Sequence, residues 1–153
     1  MITAVEYLFN TTSAAEICAH LSSCDADFVP RLSTRVEMQD YAKKIASKAT
    51  RFEAWDGDKL VGLLAVYCND QEQHIAFITS VSVQKAWTGK GIAECLVGQC
   101  IEHAKVSGMR QISLEVASDN VSAIKLYEKI GFVASKANTP LVGMILFLKD
   151  KKI

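Results

Sequence analysis

Two glycines on either side of a lysine, Gly89-Lys90-Gly91, could bind a phosphate group. They follow an apolar strand pattern that ends at Val83, and an amphipathic helix pattern begins directly after them at Ile92. The first N–H groups of a helix have no intrahelical partners and lie at the positive end of its dipole, so they attract anions. Glycine allows a close backbone approach and a positive φ, and Lys90 adds one charge. The spacing therefore predicts a turn that holds a phosphate-bearing ligand.

Two common nucleotide-binding motifs do not fit this turn. A dinucleotide-binding turn needs a third glycine three residues after the second, and Gly98 lies too far along the helix. A Walker A loop needs Lys and then Ser or Thr after its last glycine, whereas Ile92 follows Gly91. From the two glycines alone, a tight turn without any ligand remains an open alternative.

Two sequence blocks in order resemble the GNAT family of N-acetyltransferases. The first is V-x-x-x-W-x-G-K-G-I-A, from Val83 to Ala93, and the second is N-x-x-A-x-x-L-Y-x-K-x-G-F, from Asn120 to Phe132. One predicted helix and one predicted strand separate them, and the resemblance covers about residues 50 to 148. It implies one acyl-CoA N-acyltransferase domain over residues 1–153, with a mixed, mostly antiparallel α/β sheet and helices on both faces.

The resemblance implies acetyl-coenzyme A (acetyl-CoA) as donor and a primary amine as acceptor. In this family the cofactor arm lies between two splayed strands, here 74–83 and 111–116, and the N–H region of Val83 would polarise the thioester carbonyl. Thr88 stands where the family pattern usually has Arg or Gln, which removes a charge but no backbone N–H. The implied cofactor-binding residues are Val81, Ser82, Val83, Thr88, Gly89, Lys90, Gly91, Ile92, Ala93, Asn120 and Ala123.

Tyr127 matches the family residue that protonates the departing thiolate, although a helical tyrosine can also serve packing alone. Asn120 can equally be the N-cap of the helix that follows it. Relatives often carry a carboxylate on the strand before the turn, but residues 77–81 contain none. We therefore expect Glu115 on the next strand to act as the base, directly or through water, with a surface ion pair as its alternative role. His74 and Glu72 are further candidates.

The segment from Phe28 to Arg35 is the candidate acceptor site. Its aromatic ring, arginines and hydroxyls suit a phosphate or carboxylate beside a sugar ring, with Phe28, Arg31, Ser33 and Arg35 as predicted substrate-binding residues. An ordinary loop, with Thr34 capping the next helix, is the alternative. The first hypothesis is an enzyme that acetylates a small-molecule amine, for example a nucleotide-linked amino sugar. The alternatives are acetylation of a protein N-terminus or lysine, and a non-catalytic CoA-binding module.

Composition restricts the class of protein. The chain has 153 residues, 50% of them hydrophobic, and 17 basic and 17 acidic residues balance, which argues against nucleic acid or an anionic membrane as partner. We expect no membrane span, no leader segment and a cytoplasmic location with five free cysteines. The scattered His20, His74 and His103 predict no metal site. A homodimer is expected by family analogy only.

Hydrophobic periodicity predicts the elements that position these residues. A turn signal at Asp56-Gly57-Asp58 predicts a hairpin, and Gly108 is the expected C-terminal cap of the helix that begins at Ile92. The stretch 25–35 is predicted to be irregular. Strands are expected over 2–9, 50–55, 59–67, 74–83, 111–116, 132–135 and 144–148, and further helices over 14–21, 36–48 and 120–130.

Overall fold

The computed structural model describes residues 5–28, 30–138 and 140–148. The order of the elements is the predicted one, and short 3-10 turns at Asp25–Asp27 and Leu32–Thr34 interrupt the stretch expected to be irregular. The part of the predicted first strand before residue 5 lies outside the described residues. The elements are β1 (Glu6–Phe9), α1 (Ala14–Ser23), α2 (Met38–Lys48), β2 (Thr50–Asp56), β3 (Lys59–Tyr67), β4 (Ile75–Val83), α3 (Ile92–Val106), β5 (Gln111–Ala117), α4 (Val121–Ile130), β6 (Val133–Asn138) and β7 (Leu141–Phe147).

One seven-stranded sheet in the order β1-β2-β3-β4-β5-β7-β6 organises the domain. Five of its neighbouring pairs are antiparallel, and only β4 and β5 run parallel. The glycine turn and α3 form the crossover between these two strands, as a parallel pair requires. The predicted mixed, mostly antiparallel sheet is confirmed. No helix in the described part of the chain has the length and apolarity to cross a bilayer.

Helices cover both faces of the sheet, and each face has its own apolar core. Helices α1 and α2 pack on one face through Ile17, Leu21 and Ile45. Helix α3 covers the other face, where Leu96 and Val97 are fully buried. Strand β3 contributes to both cores, which explains its almost continuous apolar sequence.

A β-bulge at Thr79 changes which residues of β4 face which helices. Ala65 on β3 pairs with Ser80, whereas the next residue, Val66, pairs with Ile78, so that Thr79 is an extra residue without a partner on β3. Because strand side chains alternate with a period of two, one extra residue exchanges the two faces. The bulge is held by the Tyr41 hydroxyl, which donates to the Thr79 carbonyl at 2.9 Å.

A buried polar network fixes the start of α1 against the sheet. Burial opposes ionisation of the fully buried Glu53, but hydrogen bonds from Thr11 and Thr12 still hold its pKa below the ordinary value. The N–H groups of both threonines lie 2.9 Å from Glu53 Oε2. Arg51 Nε donates to Thr12 Oγ1 at 2.8 Å. The network therefore sets the position from which α1 crosses the sheet.

Among the predicted boundaries that differ from the structure, two differ for identifiable reasons. Helix α2 begins at Met38 rather than Val36, because the Glu37 side chain accepts from the N–H groups of the first turn and caps it in place of Thr34. Strand β7 begins at Leu141, three residues before the predicted start. There it pairs with Ala117 of β5, a long-range contact that local periodicity does not contain.

Gly62 of β3 lets the first turn of α3 pack closely on the sheet. A Cβ at this position would lie 2.9 Å from Cγ2 of Ile92 and 3.2 Å from Cβ of Ala54. We expect Gly62→Ala to lower the free energy of unfolding by about 1–3 kcal/mol, as overpacking usually does. The control is Gly98→Ala on the exposed side of α3, where a Cβ meets nothing within 4 Å. This substitution should stabilise the helix by up to about 1 kcal/mol. Urea unfolding of both variants measures the difference, and equal midpoints would contradict the packing argument.

Candidate active site

The sheet divides between β4 and β5. The two strands pair only from Ile75 with Gln111 to Phe77 with Ser113, although β4 continues to Val83 and β5 to Ala117. Beyond this point a cavity of about 400 Å³ separates them. Its lining residues come from the segment between α1 and α2, from α2, from both strands, from α4 with its N-cap, and from β7: Cys24, Asp27, Phe28, Leu32, Arg35, Val36, Tyr41, Phe77, Ile78, Thr79, Ser80, Val81, Ser82, Val83, Leu114, Glu115, Val116, Ala117, Asn120, Ala123, Tyr127 and Leu141.

The end of β4 directs backbone donors into this gap. The Gln84 N–H donates to the Val61 carbonyl on β3 at 2.8 Å. Successive residues of a strand direct their N–H groups to alternate sides, so the N–H groups of Val83 and Val81 face away from β3 and toward the gap. An extended ligand could therefore bond to this edge as an additional strand would.

A second cavity of about 420 Å³ lies over the glycine turn and the start of α3. Val83 lines both cavities, so the second adjoins the first at the end of β4. A long ligand could thus follow the strand edge and reach the helix N-terminus. The lining residues are Val83, Trp87, Thr88, Gly89, Gly91, Ile92, Ala93, Glu94, Ser122 and Leu126.

The N-terminus of α3 is the one without a side-chain cap among the four described α-helices. Ser13, Glu37 and Asn120 accept hydrogen bonds from the first turns of α1, α2 and α4. Gly91 occupies the same position of α3 in a left-handed conformation, φ 80°, and offers no acceptor. The first N–H groups of α3 are therefore available to an anion in the second cavity.

The polar side chains of the turn are directed elsewhere. The Thr88 hydroxyl donates to the Lys85 carbonyl at 2.8 Å, which leaves its backbone rather than its side chain for a ligand. Lys90 is exposed and lines neither cavity. Glu94 lies in the second cavity, where Lys129 Nζ, 3.2 Å from its carboxylate, balances the charge. Backbone N–H groups are thus the main groups of this turn to which an anion could bond.

Tyr127 lies on the buried side of α4 and lines the first cavity. Its ring packs edge-on against Phe132, with 5.6 Å between the ring centroids. Burial raises its pKa to about 12. The phenol therefore keeps its proton throughout the physiological range and can donate it, or a hydrogen bond, into the cavity.

Asn120 caps α4 and lines the cavity at the same time. Its Oδ1 accepts from the Ala123 N–H at 3.3 Å. An amide carries two donors besides this acceptor, so Nδ2 remains available to a ligand. The two roles that the sequence left as alternatives are compatible.

Two carboxylates line the first cavity, and neither belongs to β4. Glu115 is an exposed residue of β5, and Asp27 comes from the 3-10 turn after α1. The other sequence candidates lie apart, because Glu72 and His74 precede the paired end of β4 and line neither cavity. His74 adopts a positive φ of 59° there.

The predicted acceptor segment divides into two groups. Phe28 and Arg35 line the cavity. Ser33 instead donates to Asp25 from its N–H and its hydroxyl, each at 2.7 Å, and Arg31 lies 4.0 Å from the same carboxylate with 63% of its side chain exposed. The hydrogen bonds from Ser33, assisted by Arg31, hold the pKa of Asp25 below its ordinary value. Arg31 and Ser33 therefore fold the loop around Asp25 and do not reach the cavity.

His20 of α1 is a residue that the sequence reading missed. It is only 3% exposed and lies behind the cavity wall, 2.9 Å from the Ser82 hydroxyl. A signal was present, since Ile17, His20, Leu21 and Cys24 form one stripe at helical spacing and all are buried. A histidine within an apolar stripe needs buried hydrogen-bond partners, but the sequence does not say which.

Comparison with known proteins agrees with this geometry. The sequence model of the acetyltransferase (GNAT) family matches residues 15–132, more than half of the chain. The chain belongs to the GNAT family. GNAT relatives include a mycothiol acetyltransferase of Corynebacterium efficiens, 37% identical over 82 residues, which are 54% of this chain and 27% of that protein. An N-alpha-acetyltransferase of Arabidopsis thaliana is 33% identical over 86 residues, 56% of this chain and 45% of the relative. The chain thus spans less than half the length of either protein.

Solved GNAT structures share the whole fold. The structure of yncA from Salmonella typhimurium, which holds its cofactor acetyl-CoA, superposes with a TM-score of 0.76 over 98% of this chain and 97% of that one. The sequence identity is 16%, so this likeness concerns the fold alone. A strand edge and an uncapped helix N-terminus of this kind suit the pantetheine and diphosphate of a CoA ester.

Gly91→Ala tests the contribution of the turn to CoA binding. An alanine at φ 80° is strained by about 1–2 kcal/mol, and relief of this strain moves the N–H groups at the start of α3. We expect the dissociation constant for acetyl-CoA, measured calorimetrically, to rise about tenfold. The matched control is Gly57→Ala in the β2–β3 turn, at φ 61°, which introduces similar strain away from both cavities. Equal affinity of the two variants would show that the turn does not bind the cofactor.

Proposed function

We propose that this GNAT domain transfers the acetyl group of acetyl-CoA to the primary amine of a small molecule that also carries an anionic group. The observation that carries the proposal is the first cavity, where the backbone edge of β4 meets a wall built by the α1–α2 segment. Phe28 and Arg35 of that wall line the same cavity as Val81, Ser82 and Val83 of the strand. A nucleotide-linked amino sugar has the required amine and phosphate.

On the donor side, the binding groups are mostly backbone. The edge at Val81 and Val83 would hold the pantetheine, with Ser82 between them, and an N–H at Val83 would polarise the thioester carbonyl. Residues 88–93 would hold the diphosphate, mainly through the N–H groups that begin α3. Asn120 and Ala123 at the N-terminus of α4 would contact the cofactor arm from the opposite side of the gap.

On the acceptor side, charged groups of both signs line the cavity. Asp27 and Glu115 would attract the ammonium of the acceptor, and Arg35 would bind its anionic group. Glu115 keeps its predicted role as a candidate base at the β5 side. Tyr127, whose proton is retained, would donate to the thiolate as it leaves.

Acetylation of a protein N-terminus is the second candidate, because an N-alpha-acetyltransferase is among the relatives. Release of free thiol from acetyl-CoA, measured with amino sugars, sugar nucleotides, amino acids and peptides, separates the two. Preferred turnover of an anionic small amine supports the proposal, and preferred turnover of peptides supports the second candidate. Tight acetyl-CoA binding without turnover of any amine would indicate the non-catalytic module.

Tyr127→Phe removes the proposed acid while keeping the ring that packs on Phe132. We expect an unchanged affinity for acetyl-CoA and a kcat lowered by about 10²-fold, a usual contribution of acid–base catalysis. Single-turnover measurements make the chemical step visible. An unchanged single-turnover rate would remove Tyr127 from the mechanism.

Arg35→Gln tests the recognition of an anionic acceptor. Loss of the guanidinium from the cavity should raise KM for the anionic acceptor about tenfold, the effect of a charged hydrogen bond of about 1.5 kcal/mol, with little change for a neutral amine. Arg31→Gln is the matched control, because its side chain lies outside the cavity and points to Asp25. Similar effects of both variants would mean that only the general charge of the loop matters.

A further inference from the structure

A hydrogen-bonded pair of His20 and Ser82 connects the wall of the first cavity to a buried imidazole. Ser82 lines the cavity and is 8% exposed. Its hydroxyl lies 2.9 Å from Nε2 of His20, while Nδ1 of the same ring lies 3.2 Å from the Leu60 carbonyl. His20 itself does not line the cavity.

The partners of the ring decide its protonation. A carbonyl oxygen only accepts, so Nδ1 carries the hydrogen and donates to Leu60. Nε2 then presents its lone pair, and the Ser82 hydroxyl donates to it. Desolvation by burial lowers the pKa of His20, so the ring is neutral at pH 7 and this lone pair is available. Because each ring nitrogen has a hydrogen-bond partner, both the orientation of the imidazole and its tautomer are fixed.

The bulge at Thr79 gives Ser82 this orientation. Beyond the bulge, even-numbered residues of β4 face α1 and α2, which turns Ser82 toward His20, while Val81 and Val83 pack in the core beneath α3. The Ser82 side chain thus lies on the side of the strand where the amine would bind. The backbone N–H groups of Val81 and Val83, by contrast, face the gap where acetyl-CoA would bind.

We infer that Ser82 and His20 together receive the proton that the acceptor amine must lose before it attacks. This inference rests on the proposed function. An alkylammonium has a pKa near 10.4, so an enzyme at neutral pH needs a group to accept its proton. Strand β4 offers no carboxylate, and Glu115, the competing candidate base, lines the cavity as an exposed residue of β5.

The proton transfer balances without any further reactant. An N–H bond of the amine breaks as a new O–H bond forms on Ser82 Oγ, and the original hydroxyl proton passes to Nε2 of His20. The amine keeps the electron pair of its former N–H bond for the attack on the thioester carbonyl. The resulting imidazolium keeps its Nδ1–H bond to the Leu60 carbonyl and returns the proton through Ser82 after the product leaves. Ser82 contacts the acceptor, and His20 acts through Ser82 as a positioning and proton-holding residue.

The surroundings of His20 define the expected pH dependence. The titratable group beside it is Cys24, whose Sγ lies 3.8 Å from Nε2 and whose pKa is raised by burial and by the carboxylate of Asp27 in the following 3-10 turn. The two strands that it contacts, β3 and β4, present the uncharged Leu60 carbonyl and Ser82 hydroxyl. Because the pKa of His20 is lowered, kcat at saturating acceptor should stay constant down to about pH 6.5 and fall at lower pH, where the ring takes up a proton.

The test compares His20→Gln, Ser82→Ala and the double variant. A glutamine can keep both hydrogen bonds but cannot take a proton, so His20→Gln should lower kcat about 10²-fold. It should also abolish the fall of kcat at low pH, while the affinity for acetyl-CoA stays unchanged. Ser82→Ala should have the same effect, and the double variant should be no worse than either, because the two residues act as one unit. Ser82→Thr, which restores a hydroxyl, should recover most of the rate.

Ser80→Ala is the comparison on the same face of β4. Ser80 is 6% exposed and lines the cavity, but its hydroxyl has no hydrogen-bond partner among the described residues. Its loss should lower kcat less than about threefold, below the effect of a general base. If His20→Gln does not fold, Ser82→Ala and Ser82→Thr decide the question.

Three outcomes would overturn the inference. In the first, His20→Gln or Ser82→Ala keeps the wild-type kcat and its fall at low pH. In the second, Glu115→Gln, and not these variants, abolishes the fall of kcat at low pH. In either case the proposed function would stand, since the wild type turns over. Absence of turnover by the wild type with every amine would instead overturn the proposed function, and the proton path with it.

Discussion

The limited pairing between β4 and β5 is the constraint on which the rest of the site depends. Three residue pairs hold the two strands together, and beyond them a row of backbone groups has no partner in the sheet. Such groups are costly to bury without hydrogen bonds, so the gap favours a ligand that bonds as a strand would. The same divergence creates room for side chains from the α1–α2 segment and from α4. One interruption of the sheet thus creates both the free strand edge and the cavity in which the proposed reaction would take place.

Two local irregularities adapt the remaining structure to this gap. The bulge at Thr79 exchanges the faces of β4 just where the pairing with β5 has ended, and Tyr41 holds it in place. At the Val83 end of β4, the uncapped start of α3 leaves its first N–H groups without side-chain partners. Gly62 allows α3 to approach the sheet closely enough for this terminus to lie beside Val83. The backbone that would bind the donor is therefore positioned mainly by packing and not by charge.

The fold and the use of a CoA ester could be predicted from the sequence because their signals are local. The glycine turn, the stripe of α3 and the Asn120–Phe132 block each lie within one short segment, and the fold follows from their order. The acceptor half could not be predicted to the same depth. Arg31 and Arg35 have similar local surroundings, yet the fold of the loop around Asp25 turns only Arg35 to the cavity. His20 and Ser82 are 62 residues apart, and their contact depends on the phase change at Thr79, which no periodicity within β4 indicates.

This division has a physical basis that bears on specificity. A backbone edge and a helix N-terminus bind any CoA ester in the same way, whatever side chains surround them, so the donor site can persist while its neighbours vary. The proposed acceptor wall consists mainly of side chains on the segment between α1 and α2, which lies outside the sheet. His20 connects the two parts, because it lies on α1, directly before the segment that forms the wall, and its partner Ser82 lies on β4. A proton path built at that junction would serve any acceptor that places its amine against Ser82, and the choice of acceptor would remain with Phe28, Arg35 and the carboxylates that line the cavity.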